Sequence, residues 1–126
     1  MTEKNQIYKC EICGIISSII HPWAGEMSCC GQAMKLITEN TEEAATEKHI
    51  PVIKKLEDGV QVMVGTVEHP MIDTHLIEWI EVRTISKTYR QELKPWDTPK
   101  VFFNIVDENI ISARAYCNLH GLWKNE

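Results

Sequence analysis

Four cysteines within the first 30 residues constrain the fold of this chain more than any other feature. They occur as Cys10-x-x-Cys13 and, fifteen residues later, as the adjacent pair Cys29-Cys30. A segment shorter than about 40 residues rarely folds without a metal, a disulfide or a partner chain. Four thiolates suit one tetrahedral zinc or a single iron. We therefore predict a metal-organised unit over residues 1–37, with structural zinc or a reactive pair of adjacent thiols as the alternatives.

The segment that follows is polar and acidic. Residues 38–46 read TENTEEAAT and contain no large side chain that a core could bury. Such a stretch favours a linker at the surface. We place the domain boundary there, so that the second domain spans residues 47–126.

Short β-branched runs alternate with turn signals throughout the second domain. The main runs are IPVI, GVQVMVGTV, LIEWIEVRTI, VFFNIV and IISARAYC. Strands at such intervals are typical of an antiparallel β-sandwich or barrel, and no segment carries a sustained helical stripe. In IISARAYC, strand alternation places Ile111, Ala113, Ala115 and Cys117 on one face and Tyr116 on the other. The fold class is therefore mainly β, with Cys117 pointing inward.

Charge and composition narrow the classes of partner. The formal net charge is −5, and the basic residues are scattered rather than grouped in a stripe. Nucleic acid is therefore not an expected partner. The first ten residues lack the apolar run of a signal peptide, and GIISSII is too short to cross a membrane. We expect a cytoplasmic protein whose odd number of cysteines, five, serves metal binding rather than disulfides.

Histidines suggest a second metal site. His49, His69, His75 and His120 each lie at a turn or strand edge of the second domain, and Cys117 lies three residues before the last of them. A lone histidine is more often a surface residue, and His21 is interpreted in that way. Several loop histidines with one inward thiolate can close on one iron, copper or zinc ion. Five ligands exceed the four of a closed zinc site, which favours ferrous iron.

Several motifs together carry a resemblance to a known family. They are the four-cysteine arrangement, Glu47-Lys48-His49-x-Pro51-Val52, His69-Pro70-Met71 with His75 and Ile77-x-Trp79-Ile80-Glu81, and Tyr116-Cys117-Asn118-x-His120-Gly121-x-Trp123-Lys124. With these motifs, the chain resembles the desulfoferrodoxins, the two-iron class of superoxide reductases, over nearly its whole length.

The resemblance implies a desulforedoxin-like domain with an iron bound by four cysteines, followed by an immunoglobulin-like β-sandwich with a catalytic iron. By position, the ligands of the catalytic iron would be His49, His69, His75 and His120, with Cys117 as the axial sulfur. Glu47 would occupy the sixth position in the oxidised resting state, with Lys48 as the cation beside it. The implied reaction is one-electron reduction of superoxide to hydrogen peroxide, an antioxidant activity. A rubredoxin-like electron donor and a homodimer are implied as well.

Rival functions come from other classes. A zinc ribbon fused to a sandwich that binds a protein partner would explain the same cysteines with colourless zinc, and zinc is also possible in the four-cysteine site. A dismutase would release oxygen as well as peroxide and would need no external reductant. An oxygenase with two histidines and one carboxylate leaves more open positions than five protein ligands permit.

Overall fold

The computed structural model describes residues 1–42, 48–106 and 109–125. Within these ranges all regular structure is β, and the chain divides into two compact units, residues 1–38 and 39–126. The described ranges contain no helix that is long and apolar enough to span a membrane. The prediction of a mainly β fold is confirmed.

The first unit is small and consists of short strands. They are β1 (Ile7–Lys9), β2 (Ile16–Ser18), β3 (Ser28–Cys29), β4 (Gln32–Ala33) and β5 (Lys35–Ile37). The order β2-β1-β5 forms one antiparallel sheet, and β3 pairs with β4 as a separate hairpin. Its buried apolar side chains include Ile7, Ile19 and Met34. This core is too small to stabilise a domain unaided.

The second unit contains the longer strands. They are β6 (Glu39–Asn40), β7 (Pro51–Leu56), β8 (Gly59–Val64), β9 (Ile77–Thr84), β10 (Thr88–Glu92), β11 (Lys100–Phe103), β12 (Ile110–Cys117) and β13 (Gly121–Lys124). They form a five-stranded sheet in the order β10-β9-β12-β13-β6 and a three-stranded sheet in the order β11-β8-β7. Neighbouring strands are antiparallel except for β13 and β6, which are parallel.

The two sheets of this unit enclose one core. Val62 and Val64 of β8 and Ile80 and Val82 of β9 belong to the same buried cluster. Valine and isoleucine at alternate positions present one apolar face from each strand, so the two sheets bury these faces against each other. The predicted antiparallel β-sandwich is confirmed.

Strand β12 follows the predicted alternation except at its start. Ala113, Ala115 and Cys117 are fully buried. Ile111 was expected on the same face, but it is 55% exposed. The pairing of β12 with β9 shifts register between Ile110 and Ser112, and this irregularity turns Ile111 outward. The expectation for Ile111 was therefore wrong.

Opposite charges meet on the other face of the five-stranded sheet. Glu81 of β9 and Arg114 of β12 are direct cross-strand partners, and both are buried. The Glu81 carboxylate accepts hydrogen bonds from Arg114 Nε at 2.7 Å and from Arg90 at 2.6 Å. Arg114 also donates to Glu39 of β6 at 3.0 Å. The network links four strands, β6, β9, β10 and β12, and removal of one member would leave a buried charge unpaired.

Glu39–Asn40 form a strand within the stretch assigned to the linker. The catalytic candidate Glu47 lies outside the described residues.

Candidate metal centres

The four cysteines of the first unit converge on one point. Cys10 follows β1, Cys13 lies in the turn after it, and Cys29 and Cys30 lie at the end of β3 and in the β3–β4 turn. Cys30 and Gly31 are the two central residues of this hairpin, and their φ values are 51° and 75°. Positive φ at both central positions is the geometry of a type I′ hairpin turn. This turn redirects the backbone between the adjacent cysteines, so both thiols can face one centre.

The sulfur positions fit a tetrahedral ion. Cys13 Sγ lies 3.6 Å from Cys29 Sγ, and Cys29 Sγ lies 3.9 Å from Cys30 Sγ. Sulfurs bound to one ion at about 2.3 Å stand about 3.8 Å apart in a tetrahedron. All four donor atoms lie within 4.8 Å of one another. The cluster therefore has the dimensions of a four-thiolate iron or zinc site.

The thiols of this cluster differ in acidity. Backbone N–H groups of Cys13 and Ile12 lower the pKa of Cys10 to about 6, and the Cys13 N–H lies 3.4 Å from its sulfur. Contacts with the sulfurs of Cys13 and Cys10 raise the pKa of Cys29 to about 12. A metal must displace the remaining thiol protons, so metal binding here is linked to proton release.

The second cluster collects donors from distant parts of the second unit. His49 precedes β7, His69 and His75 lie between β8 and β9, and Cys117 and His120 lie at the end of β12 and in the turn that leads to β13. One donor atom from each of the five residues lies within 4.8 Å of all the others. Cys117, His49 and His69 are buried, His75 is half-buried, and His120 is exposed. One side of the cluster therefore reaches the surface.

The four imidazoles form a closed ring. Successive ring centroids are 4.8 Å apart from His49 to His69, 4.8 Å from His69 to His75, 5.2 Å from His75 to His120 and 4.9 Å from His120 to His49. Neighbouring rings meet at angles between 61° and 84°. The four sides are nearly equal, and we call this closed array of His49, His69, His75 and His120 the square.

The donor distances fit an ion at the centre of this square. Imidazole nitrogens bound at about 2.1 Å stand about 3.0 Å apart along an edge and about 4.2 Å across the diagonal. His49 Nε2 lies 3.1 Å from His120 Nδ1, which matches an edge. The sulfur of Cys117 lies 3.7 Å from the same Nδ1 atom. Four nitrogens and one sulfur suit an iron in square-pyramidal geometry better than a tetrahedral zinc.

Neighbouring groups orient two of the imidazoles. His69 Nδ1 lies 2.7 Å from the Pro70 carbonyl oxygen, which can only accept, so Nδ1 carries the proton and Nε2 keeps its lone pair for a metal. The indole of Trp123 stacks on His49, with 4.5 Å between centroids and 13° between planes. Its Nε1 also donates to the His120 carbonyl at 3.1 Å. Trp123 thus supports two corners of the square.

The segment that contains Lys48 lies directly on Gly65. A Cβ atom at Gly65 would lie 2.9 Å from the backbone carbon and oxygen of Lys48, which is closer than side chains tolerate. Lys48 is half-buried and immediately precedes the buried His49. Any residue other than glycine at position 65 would therefore displace the backbone that carries both residues.

The structure brings together all nine predicted donors in their two groups. His21 is exposed and stacks on Trp23, outside both groups. The sequence predicted no role for the side chains of Asn118 and Trp123, although both residues lie within a motif that carries the family resemblance. In the sequence, the only indication that they contribute to the site is their closeness along the chain to Cys117 and His120.

The β-sandwich brings four imidazoles and one thiolate together at one point, and the small unit that precedes it in sequence brings together four thiolates. These two sites define a non-haem metalloprotein with two metal centres. Two family models describe the same division: desulfoferrodoxin matches residues 41–126, and the desulfoferrodoxin N-terminal domain matches residues 2–37. The chain belongs to the desulfoferrodoxin family. A curated desulfoferrodoxin from Syntrophotalea carbinolica is 51% identical over 126 residues, which are 100% of this chain and 99% of that protein.

Solved structures agree with this assignment. A superoxide reductase from Treponema pallidum has a TM-score of 0.81 and 27% identity, covering 96% of this chain and 97% of the other. A one-iron superoxide reductase from Giardia intestinalis has a TM-score of 0.57 and 33% identity, covering 64% of this chain and 96% of the other. The first likeness extends over both units of the chain.

Proposed function

We propose that this protein is a superoxide reductase that converts superoxide to hydrogen peroxide at the centre formed by His49, His69, His75, His120 and Cys117. The observation that carries the proposal is the closed square of four imidazoles with the Cys117 sulfur close to it. The names of the solved relatives support the same reaction. When bound there, ferrous iron supplies the electron that reduces superoxide.

Cys117 tunes the centre in this proposal. Its sulfur is fully buried at the end of β12, where the low local dielectric strengthens its interaction with a cation. A thiolate ligand donates electron density to iron and influences its potential. Donation by Cys117 would assist release of the peroxide product.

Lys48 guides the substrate in this proposal. Superoxide is an anion, and the chain has a formal net charge of −5, so a cation beside the centre counters an unfavourable field. Lys48 immediately precedes the ligand His49, and its backbone is held against Gly65. Its ammonium group would attract superoxide and orient a water molecule that donates a proton. Glu47, which lies outside the described residues, is proposed as a carboxylate that would bind the oxidised iron and would have to leave before superoxide could bind.

The proposal also covers the electron donor, the second iron, the cellular location and the oligomeric state. Each reduction consumes an electron, so an external one-electron donor is required, and a rubredoxin-like protein is proposed. The four-cysteine site is proposed to hold the second iron. None of the five cysteines forms a disulfide, which suits the reducing cytoplasm proposed as the location. A homodimer is proposed too, and the exposed apolar side chains of Ile20 and Trp23 are of the kind that such an interface covers.

The test mixes the fully reduced, iron-loaded protein with superoxide in a stopped-flow instrument and quantifies peroxide and oxygen together. We expect one peroxide for each oxidised centre of four histidines and Cys117 (the His4Cys centre), with no oxygen, because superoxide takes up one electron and two protons. The zinc-loaded protein is the matched control, since zinc can occupy the donors but cannot supply an electron. Oxygen formed in step with peroxide, without oxidation of the protein, would indicate dismutation and contradict the proposal.

A further inference from the structure

Asn118 connects the two segments that carry three of the five donors. It follows Cys117, and its side-chain Oδ1 accepts a hydrogen bond from the Leu76 N–H at 2.9 Å. Its Nδ2 donates to the Thr74 carbonyl at 3.0 Å. Its own backbone N–H donates to the Leu76 carbonyl at 3.2 Å. These hydrogen bonds hold the residues on both sides of His75.

The chemistry of this connection requires an amide. The Leu76 N–H needs an acceptor and the Thr74 carbonyl needs a donor, and the asparagine side chain provides both on one planar group. An aspartate would keep the acceptor but place an oxygen against the Thr74 carbonyl. A leucine of similar shape would remove both hydrogen bonds. The two variants therefore separate the two halves of the contact.

The position of Asn118 matters because His75 lies near the end of the loop between β8 and β9, shortly before β9 begins at Ile77. This loop also contains the bridge between Ile72 and His75, whose backbone groups exchange hydrogen bonds at 3.0 and 3.2 Å. That bridge fixes the shape of the loop. The hydrogen bonds of Asn118 fix where the loop stands relative to Cys117 and His120.

We propose that Asn118 is a positioning residue that sets the place of the His75 imidazole in the square. Through Asn118, His75, Cys117 and His120 form one rigid group of donors. His69 is held separately, since its backbone N–H donates to the Val64 carbonyl at the end of β8. The inference rests on the metal centre of the proposed function, but not on the reaction that the centre performs.

The test uses the full-length, iron-loaded protein and the variants Asn118→Leu and Asn118→Asp. The first readout is the rate at which a chelator removes iron from the His4Cys centre. The second is the Cys117 thiolate-to-iron absorption band. We expect Asn118→Leu to speed iron loss by about tenfold, the scale for groups that orient metal ligands, and to shift the band.

The direction in which Asn118→Asp changes the rate of iron loss decides between two explanations. An added negative charge near a cation would by itself slow iron loss. If the lost donor to Thr74 dominates, iron loss instead becomes faster than in the unchanged protein, though slower than in Asn118→Leu. Slower loss in the aspartate variant would overturn the inference.

Asn125, which follows β13, offers a matched control. Its Oδ1 accepts from the Ala113 N–H at 2.7 Å and its N–H donates to the Ala113 carbonyl at 3.1 Å, towards the other end of β12. Asn125→Leu and Asn125→Asp should leave the band and the iron-loss rate unchanged. Equal effects at both positions would show a general role in folding and overturn the inference. If the unchanged protein bound no metal at the His4Cys centre, the proposed function would fail first, which keeps the two failures distinct.

Discussion

The two clusters of donors differ in how the chain assembles them. The four cysteines lie within residues 10–30, on short strands and turns around a core of few side chains. The five donors of the second cluster are drawn from residues 49–120 and are held at the ends of strands that enclose a large apolar core. We therefore expect the first unit to need its metal in order to fold, and the second unit to fold without metal and present a prepared site.

The largest effect should follow loss of one cysteine from the first cluster. Cys13→Ser is expected to release its metal and unfold residues 1–38, because metal binding contributes on the order of 10 kcal/mol to the folding of such small domains. Metal content should fall by one ion per chain. Amide exchange would report the loss of protection in β1, while superoxide reduction at the other centre continues. Slow exchange in β1 of this variant would show that the first unit folds without its metal.

Loss of the sulfur from the second cluster should leave the fold intact but impair superoxide reduction, the reverse of the effect expected for Cys13→Ser. Cys117→Ser replaces a buried thiol with a group of similar size, so we expect the sandwich to stay folded. Superoxide reduction should fall by at least about 100-fold, since even groups that only orient metal ligands are worth 10 to 100-fold. The measurements are stopped-flow reduction, the loss of the thiolate-to-iron band, and circular dichroism. Cys13→Ser is the reciprocal control, and a full rate in Cys117→Ser would refute the role proposed for the Cys117 sulfur.

The smallest of the three effects concerns a group that is not a metal donor. Lys48→Ile should slow reaction with superoxide by about tenfold and weaken its dependence on salt, because electrostatic steering is screened by ions. Pulse radiolysis at several ionic strengths measures both. Lys54→Ile removes an exposed lysine from β7 and serves as the control. The same rate and salt dependence for both variants would remove Lys48 from the proposal.

Sequence alone indicated the sandwich and the candidate donors. The period-two pattern of β12 correctly placed Ala113, Ala115 and Cys117 inside, because alternation depends only on local backbone geometry. It failed at Ile111, since a register shift depends on the partner strand. Tyr116, expected on the opposite face, stacks on Trp79 with 6.0 Å between centroids.

Features that depend on pairing between distant segments were not predictable. The cross-strand contact of Arg114 with Glu81 requires the register of β12 against β9. The contacts of Asn118 with the His75 loop depend on the same pairing of β12 with β9, and the square of imidazoles depends on how the two sheets meet. Strands β10 and β13 were missed because TYRQE and GLWK are short and carry little alternation.

Gly65 shows how closely the centre depends on a residue that contributes no chemistry. Its constraint is one of space, since a Cβ atom there would meet the Lys48 backbone at 2.9 Å. Replacement of Gly65 even by alanine would therefore displace the backbone of Lys48 and His49, and we expect it to impair substrate attraction and metal binding together. Selection for turnover alone is therefore expected to disfavour loss of this glycine, although it touches neither metal nor substrate.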